Sequence, residues 1–244
     1  MKVTILGQWG GFPKVNGASS GYLFQHEGFN LLVDCGSAVL SKVQNYIEVE
    51  ELDAVILSHY HPDHIADIGP LQHGRLVKHH LGKKQINLPI YGHTFNQLEF
   101  SRLTYKTFTR GVPYNPDEPL KVGPFTITFM KTKHPVDCYA MRITDGYSTV
   151  VYTADSSYLA SFISFSKDAD LFLCECNLYA DMDGTEMGHM NSTDAAAIAA
   201  SSNVKNLVLT HLPHFGELKE LVNDAKRSFS GEVQLAEEGW VWET

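Results

Sequence analysis

The chain has 244 residues, 43% of them hydrophobic and 19% charged, with a net charge of −9 at pH 7. That length can bury a sizeable core, the acidic balance argues against gripping nucleic acid through a general basic surface, and no apolar run approaches the roughly 18 residues of a membrane span. Cys35, Cys138, Cys174 and Cys176 form no C-x-x-C pair, so buried reduced thiols are expected rather than a disulfide or thiolate-metal framework. The opening MKVTILG enters a strand-like run with no apolar export core, which points to a cytoplasmic protein.

In chain order the pattern predicts strands at 2–6, 21–26 and 30–33, punctuated by Gly10-Gly11 and a turn at Gly28. A helix follows at 38–45, then a short buried strand at 54–57 that runs into a histidine-rich string. Helical spacing returns at 67–81 and 95–103. The second half opens with strands at 125–131, 139–144 and 149–152 that read as a meander, followed by short strands at 171–174 and 207–209. Residues 192–202 form an Ala-rich helix with Ser192 as its expected N-cap. Residues 215–229 read as another helix, and strand-like runs at 232–235 and 239–242 close the chain. Each half supplies strands and then helices, which predicts an α+β fold of two packed sheets with helices outside. With no long linker, 1–244 reads as one domain of two similar halves.

The string that carries chemistry is Leu57-Ser-His59-Tyr-His61-Pro-Asp63-His64. Four potential ligands lie within six residues, and neutral imidazole and carboxylate are what zinc and similar divalent ions prefer. A strand end opening into a loop can aim His59 and His61 at one ion while Asp63 and His64 turn toward a second. The remaining ligands must come from elsewhere. His134, Asp155 and His211 each stand just past a β-run, and a carboxylate such as Asp155 can bridge two ions. Among the other histidines, His26, His73, His79, His80, His93 and His214 lack a ligand spacing and read as structural or solvated. From Arg75 to Arg110 the charged residues are Arg75, Lys78, Lys83, Lys84, Arg102, Lys106 and Arg110 against Glu99 alone, either a solvated helix face or an anion-binding wall.

In this order the motifs resemble those of metallo-β-lactamase-fold hydrolases, and most closely the tRNase Z branch. Asp34-Cys-Gly36 is similar to the early Asp-x-Gly turn, and H-x-H-x-D-H is the family's signature. The resemblance implies a four-layer αββα sandwich with two zinc ions, manganese or iron being alternatives. It implies that His59, His61 and His134 hold one ion, that Asp63, His64 and His211 hold the other, and that Asp155 bridges. Cys174-Glu175-Cys176-Asn177 resembles the branch's His-Glu-Ala-Thr motif, and Gly188-His189-Met190-Asn191-Ser192-Thr193 its His-x-Ser/Thr-Thr segment. There the glutamate orients the histidine, which protonates the leaving group, so Glu175, His189 and Asp63 are the expected catalytic residues. Imidazole titrates near working pH, and a carboxylate can fix its tautomer.

Three features depart from the branch. Pro62 stands where Gly is usual, Asp145-Gly146-Tyr147 makes a tight hairpin with no long tRNA-gripping arm, and the Pro-x-Lys-x-Arg-Asn loop has no counterpart. Only 33 residues follow His211, too few for the helical substrate domain of glyoxalase II enzymes. The expectation is therefore a hydrolase of phosphodiesters, RNA among them, with a lactonase or thioesterase as the alternative and a non-catalytic metal-dependent sensor as the rival class. Homodimerisation is implied by the resemblance alone.

Overall fold

The computed structural model describes residues 1–244. Its strands are β1 (Lys2–Gly7), β2 (Gly21–His26), β3 (Phe29–Val33), β4 (Ala54–Ile56), β5 (Leu88–Gly92), β6 (Thr109–Pro113), β7 (Leu120–Val122), β8 (Phe125–Lys131), β9 (Tyr139–Thr144), β10 (Thr149–Tyr152), β11 (Leu171–Glu175), β12 (Asn206–Thr210), β13 (Glu232–Leu235) and β14 (Val241–Glu243). Its helices are α1 (Val39–Val43), α2 (Pro62–Ile65), α3 (Ile68–His80), α4 (Gln97–Ser101), α5 (Ser161–Phe165), α6 (Ser192–Ser201) and α7 (Leu218–Ala225). No helix is long and apolar enough to cross a membrane.

The chain forms two compact units. The first comprises Met1–Asn115, Val122–Pro124 and Glu237–Thr244. Its sheet runs β14-β1-β2-β3-β4-β5-β6, antiparallel from β14 to β3 and parallel from β3 to β6. Strands of a parallel sheet are covered on both faces and so read as unbroken apolar runs, and β4 is buried at all of its positions. Leu32, Val55, Leu57, Leu71 and Ile90 belong to the core cluster that joins this sheet to α3.

The second unit comprises Pro116–Lys121 and Phe125–Ala236, with the sheet order β13-β12-β11-β10-β9-β8-β7. The expected meander is present as antiparallel β8-β9-β10, and β10 to β13 are parallel. A tight turn joins β9 to β10, held by Asp145 Oδ1, which accepts from the Tyr147 and Ser148 amides at 2.9 and 2.8 Å.

Several boundaries differ from expectation for local reasons. The cap of α6 is Asn191, whose side chain accepts from the Thr193 and Asp194 amides, while Ser192 is the buried first residue of the helix. The helix expected at 215–229 shrinks to α7, because Gly216 adopts φ +71 and Tyr179 packs where its side chain would be. The helix expected at 95–103 shortens to α4, capped by Asn96. Strands β5 and β6 escape the pattern because Pro89, Gly111 and Pro113 break up short runs.

Four of the seven cations of the basic stretch are engaged within the protein. Arg75 is fully buried, its guanidinium donating to Val49 O at 2.9 Å and Ile86 O at 2.7 Å. Burial lowers its pKa to about 10, still charged at neutral pH. Lys78 and Lys83 pair with Glu48 and Glu50 from another part of the chain, and Arg102 pairs with Glu99. Arg75 thus ties the 3-10 turn at Val49–Glu51 and the segment at Ile86 to α3, and Arg75→Met should strip two carbonyls of charged donors. A loss of roughly 2–4 kcal/mol is expected in a urea melt.

All four cysteines are buried and unbridged. Burial pushes the thiols of Cys35, Cys174 and Cys176 well above the usual range. The folded protein should therefore leave a disulfide-exchange reagent unconsumed until denaturant is added.

Candidate metal centre

In the first unit the candidate ligands stand at the carboxyl ends of parallel strands, where side chains from neighbouring strand ends converge. After β3 the chain turns at Asp34, a non-glycine residue at φ +56, and its amide donates to Ile56 O at 2.9 Å. The fully buried Asp34 carboxylate accepts from the Ser58 amide and the Ser58 hydroxyl, both at 2.8 Å, and from His64 Nδ1 at 2.7 Å. Pro62 opens α2, where its missing N–H costs nothing. That turn sets Asp63 and His64 side by side, and the Gly11 amide donates to Asp63 Oδ2 at 2.7 Å. A Cβ on Gly36 would stand 2.0 Å from Asp63 O, so the Asp-Cys-Gly turn needs glycine for this close approach. His59 packs against His61 and His64 with ring centroids 4.8 and 4.1 Å away.

In the second unit Asp155, Glu175 and His211 leave the carboxyl ends of the adjacent parallel strands β10, β11 and β12. Left-handed backbone at Ala154 (φ +51) and His211 (φ +53) turns the chain there. His134 follows β8 and donates from Nδ1 to Gly188 O at 3.0 Å. Gly188 adopts φ +76, and a Cβ there would lie 2.8 Å from His134 Nδ1. One oxygen of the buried Asp155 carboxylate lies 3.3 Å from His211 Nε2 and 3.8 Å from His134 Nε2.

Glu175 is completely buried and acts as a hub. Its Oε1 accepts from His189 Nδ1 at 2.9 Å and from the Ser156 amide at 3.1 Å, and its Oε2 accepts from the Asn177 amide at 3.2 Å. The Asn177 side chain in turn donates to His211 O at 3.0 Å. His189 stacks on His211 and meets His134 edge-on, with ring centroids 5.2 and 5.4 Å apart. Sequence patterning had singled out the Glu175–His189 pair only through family resemblance, because the two are fourteen residues apart and share no local signal.

The donor chemistry fits divalent ions. His64 spends its Nδ1 proton on Asp34, and its Nε2, a lone pair in the neutral ring, faces Asp63 Oδ2 at 3.5 Å. His134 spends its Nδ1 proton on Gly188 O, and its Nε2, a lone pair in the neutral ring, faces Asp155 Oδ2 at 3.8 Å. A cation, proton or metal ion, can be shared by such a facing pair, and an Nδ1 partner of this kind is what orients metal-binding histidines. Within the second unit, Glu175, His189 and His211 form a candidate group whose ligand atoms lie within 4.8 Å of one another. Of the remaining histidines, His93 is buried against Tyr60 and Tyr114, and His79 lies against Phe108. Among the aromatics of residues 95–108, Phe100 packs on the core and Phe108 is buried, whereas Phe95 is exposed.

This fold and this set of side chains define a metallo-hydrolase. The chain belongs to the β-lactamase superfamily: the family described as "Beta-lactamase superfamily domain" matches residues 29–212. It is 63% identical over 243 residues to the probable metallo-hydrolase YhfI of Bacillus subtilis (strain 168), covering 100% of both chains. The crystal structure of the metallo-β-lactamase fold protein YhfI from that organism matches with a TM-score of 0.99 at 62% identity, covering 100% of this chain and 99% of that one. The short form of human tRNase Z shares the fold at 21% identity with a TM-score of 0.76, covering 100% of this chain and 99% of that one. The expected α+β fold of metallo-β-lactamase type is thus established.

Asp155 is the carboxylate that faces both His134 and His211. Asp155→Ala should emerge from a desalting column with its bound metal, measured by elemental analysis, at least halved. Added zinc should then raise its melting temperature less than that of the parent protein.

Proposed function

We propose that the protein is a binuclear zinc-dependent hydrolase of phosphodiesters, RNA among them, similar in mechanism to tRNase Z. His59, His61 and His134 would hold one ion, Asp63, His64 and His211 the other, and Asp155 would bridge, with manganese or iron as alternative ions. Supporting this reading, His59 packs against His61 in the first unit, and in the second Asp155 Oδ2 lies 3.8 Å from His134 Nε2 and 3.3 Å from His211 Nε2. The fold's divalent ions, when bound, supply an acidified water and offset charge on the attacked group.

The observation that carries the substrate reading is the Glu175–His189 pair. Glu175 Oε1 accepts from His189 Nδ1, so that the protonated imidazole would carry an Nε2–H available for transfer. Delivery of the Nε2 proton to a leaving alkoxide leaves neutral His189 still bonded to Glu175 through Nδ1. A poor leaving group such as a ribose oxygen needs that proton. Asp63, oriented by the Gly11 amide, can accept a proton from the attacking water. The tight β9–β10 turn provides no arm at that position, so an elbow-gripped precursor tRNA is not part of this reading. Action in the cytoplasm belongs to the same reading and is supported by the unbridged thiols.

The test compares leaving groups. His189→Ala should keep its metal and lose about 10²–10⁴ in kcat on a diribonucleotide, where an alkoxide departs. On bis-p-nitrophenyl phosphate, whose phenolate leaves unaided, the loss should be much smaller. Equal turnover of the diribonucleotide by variant and parent, or turnover confined to an acyl-homoserine lactone and indifferent to His189, would move the protein to the lactonase reading.

A further inference from the structure

Ser58 precedes the first histidine of the motif, is fully buried, and has so far served only as a donor to Asp34. Its hydroxyl oxygen also lies 3.0 Å from His59 Nδ1. A hydroxyl has one proton, so the two contacts cannot both be donations. Asp34 settles which is which. Its Oδ2 is a carboxylate oxygen 2.8 Å from Ser58 Oγ and can only accept, so the Ser58 proton goes there. Ser58 Oγ must then accept, and His59 Nδ1 must carry a proton. The neutral imidazole that satisfies this has its lone pair on Nε2. With the opposite orientation, two lone pairs would meet at 2.8 Å in a buried site and His59 would hold its proton on the wrong nitrogen for a ligand.

We propose that Ser58 is a positioning residue that relays the Asp34 carboxylate to His59, so that this one carboxylate sets the tautomers of His59 and His64 together. Asp34 acts on His64 directly, through the 2.7 Å bond to Nδ1, and on His59 at one remove. In the proposed centre these two imidazoles serve different ions, so one buried group prepares a ligand for each. The relay's effect on metal binding rests on that reading; its effect on the His59 tautomer does not. The backbone favours the arrangement as well, since the Ser58 amide is bonded to Asp34 Oδ1, which anchors the residue at both of its polar ends.

The experiment is long-range ¹H–¹⁵N correlation NMR of histidine-labelled, metal-free protein, followed by zinc titration of the same samples. In the parent protein both His59 and His64 should show the Nδ1–H tautomer. Ser58→Ala should convert His59 to a mixture or to Nε2–H, leave His64 unchanged, and weaken one zinc equivalent by about 10- to 100-fold while sparing the other. Ser58→Thr, which keeps the hydroxyl, should restore both properties. Should Ser58→Ala not fold, Ser58→Val against Ser58→Thr makes the same comparison at matched size. A His59 tautomer of Nε2–H in the parent, or one unaffected by loss of the hydroxyl, overturns the proposal. Correct tautomers without any zinc binding would sink the metal reading and leave the relay standing.

Discussion

A metal-binding imidazole offers one nitrogen to the ion only if the other nitrogen's proton has somewhere to go. The sites are arranged around that constraint. Asp34 takes the proton of His64, Gly188 O that of His134, and Glu175 that of His189. None of these acceptors is a neighbour in sequence of the histidine it serves, so the constraint reaches into the fold. It fixes how the Asp34 turn meets α2, how close the 188 loop comes to the loop after β8, and where β11 must end.

Parallel strands answer the constraint. Their carboxyl ends lie side by side, so Asp34 and Ser58 meet across β3 and β4, and Asp155, Glu175 and His211 meet across β10, β11 and β12. The chain must leave each strand sharply to hold its side chain there. Asp34, Ala154 and His211 do so in left-handed backbone, which costs a non-glycine residue roughly 1–2 kcal/mol. The hydrogen bonds of Asp34 and the Asn177 bond to His211 O offset that cost locally. Strain of this kind is kept where geometry matters to function.

The sequence made part of this legible. Buried apolar runs such as β4 and β11 announce themselves, and H-x-H-x-D-H compresses four candidate ligands into one short segment. His134, Asp155 and His211 were readable because each follows such a run. The relation of Glu175 to His189 was not readable from pattern, since a carboxylate on a strand end and a histidine before a helix carry no mark of their pairing. The role of Ser58 was hidden too: a serine before a histidine is common, and only the fixed acceptor on Asp34 gives its proton a direction. The pairing within the basic stretch was not readable because its counter-charges, Glu48 and Glu50, lie far back in the chain, and because Arg75 turned inward. Cap and helix ends shifted where one residue decided them, as Asn191 and Gly216 did.

The central claim is that two ions sit among these side chains with Asp155 shared between them. The most direct measurement is an anomalous difference map at the zinc edge from a crystal of this protein grown with zinc. The account predicts two peaks, one against His59, His61 and His134 and one against Asp63, His64 and His211, with the Asp155 carboxylate touching both. A single peak, or ions that leave Asp155 untouched, would contradict it.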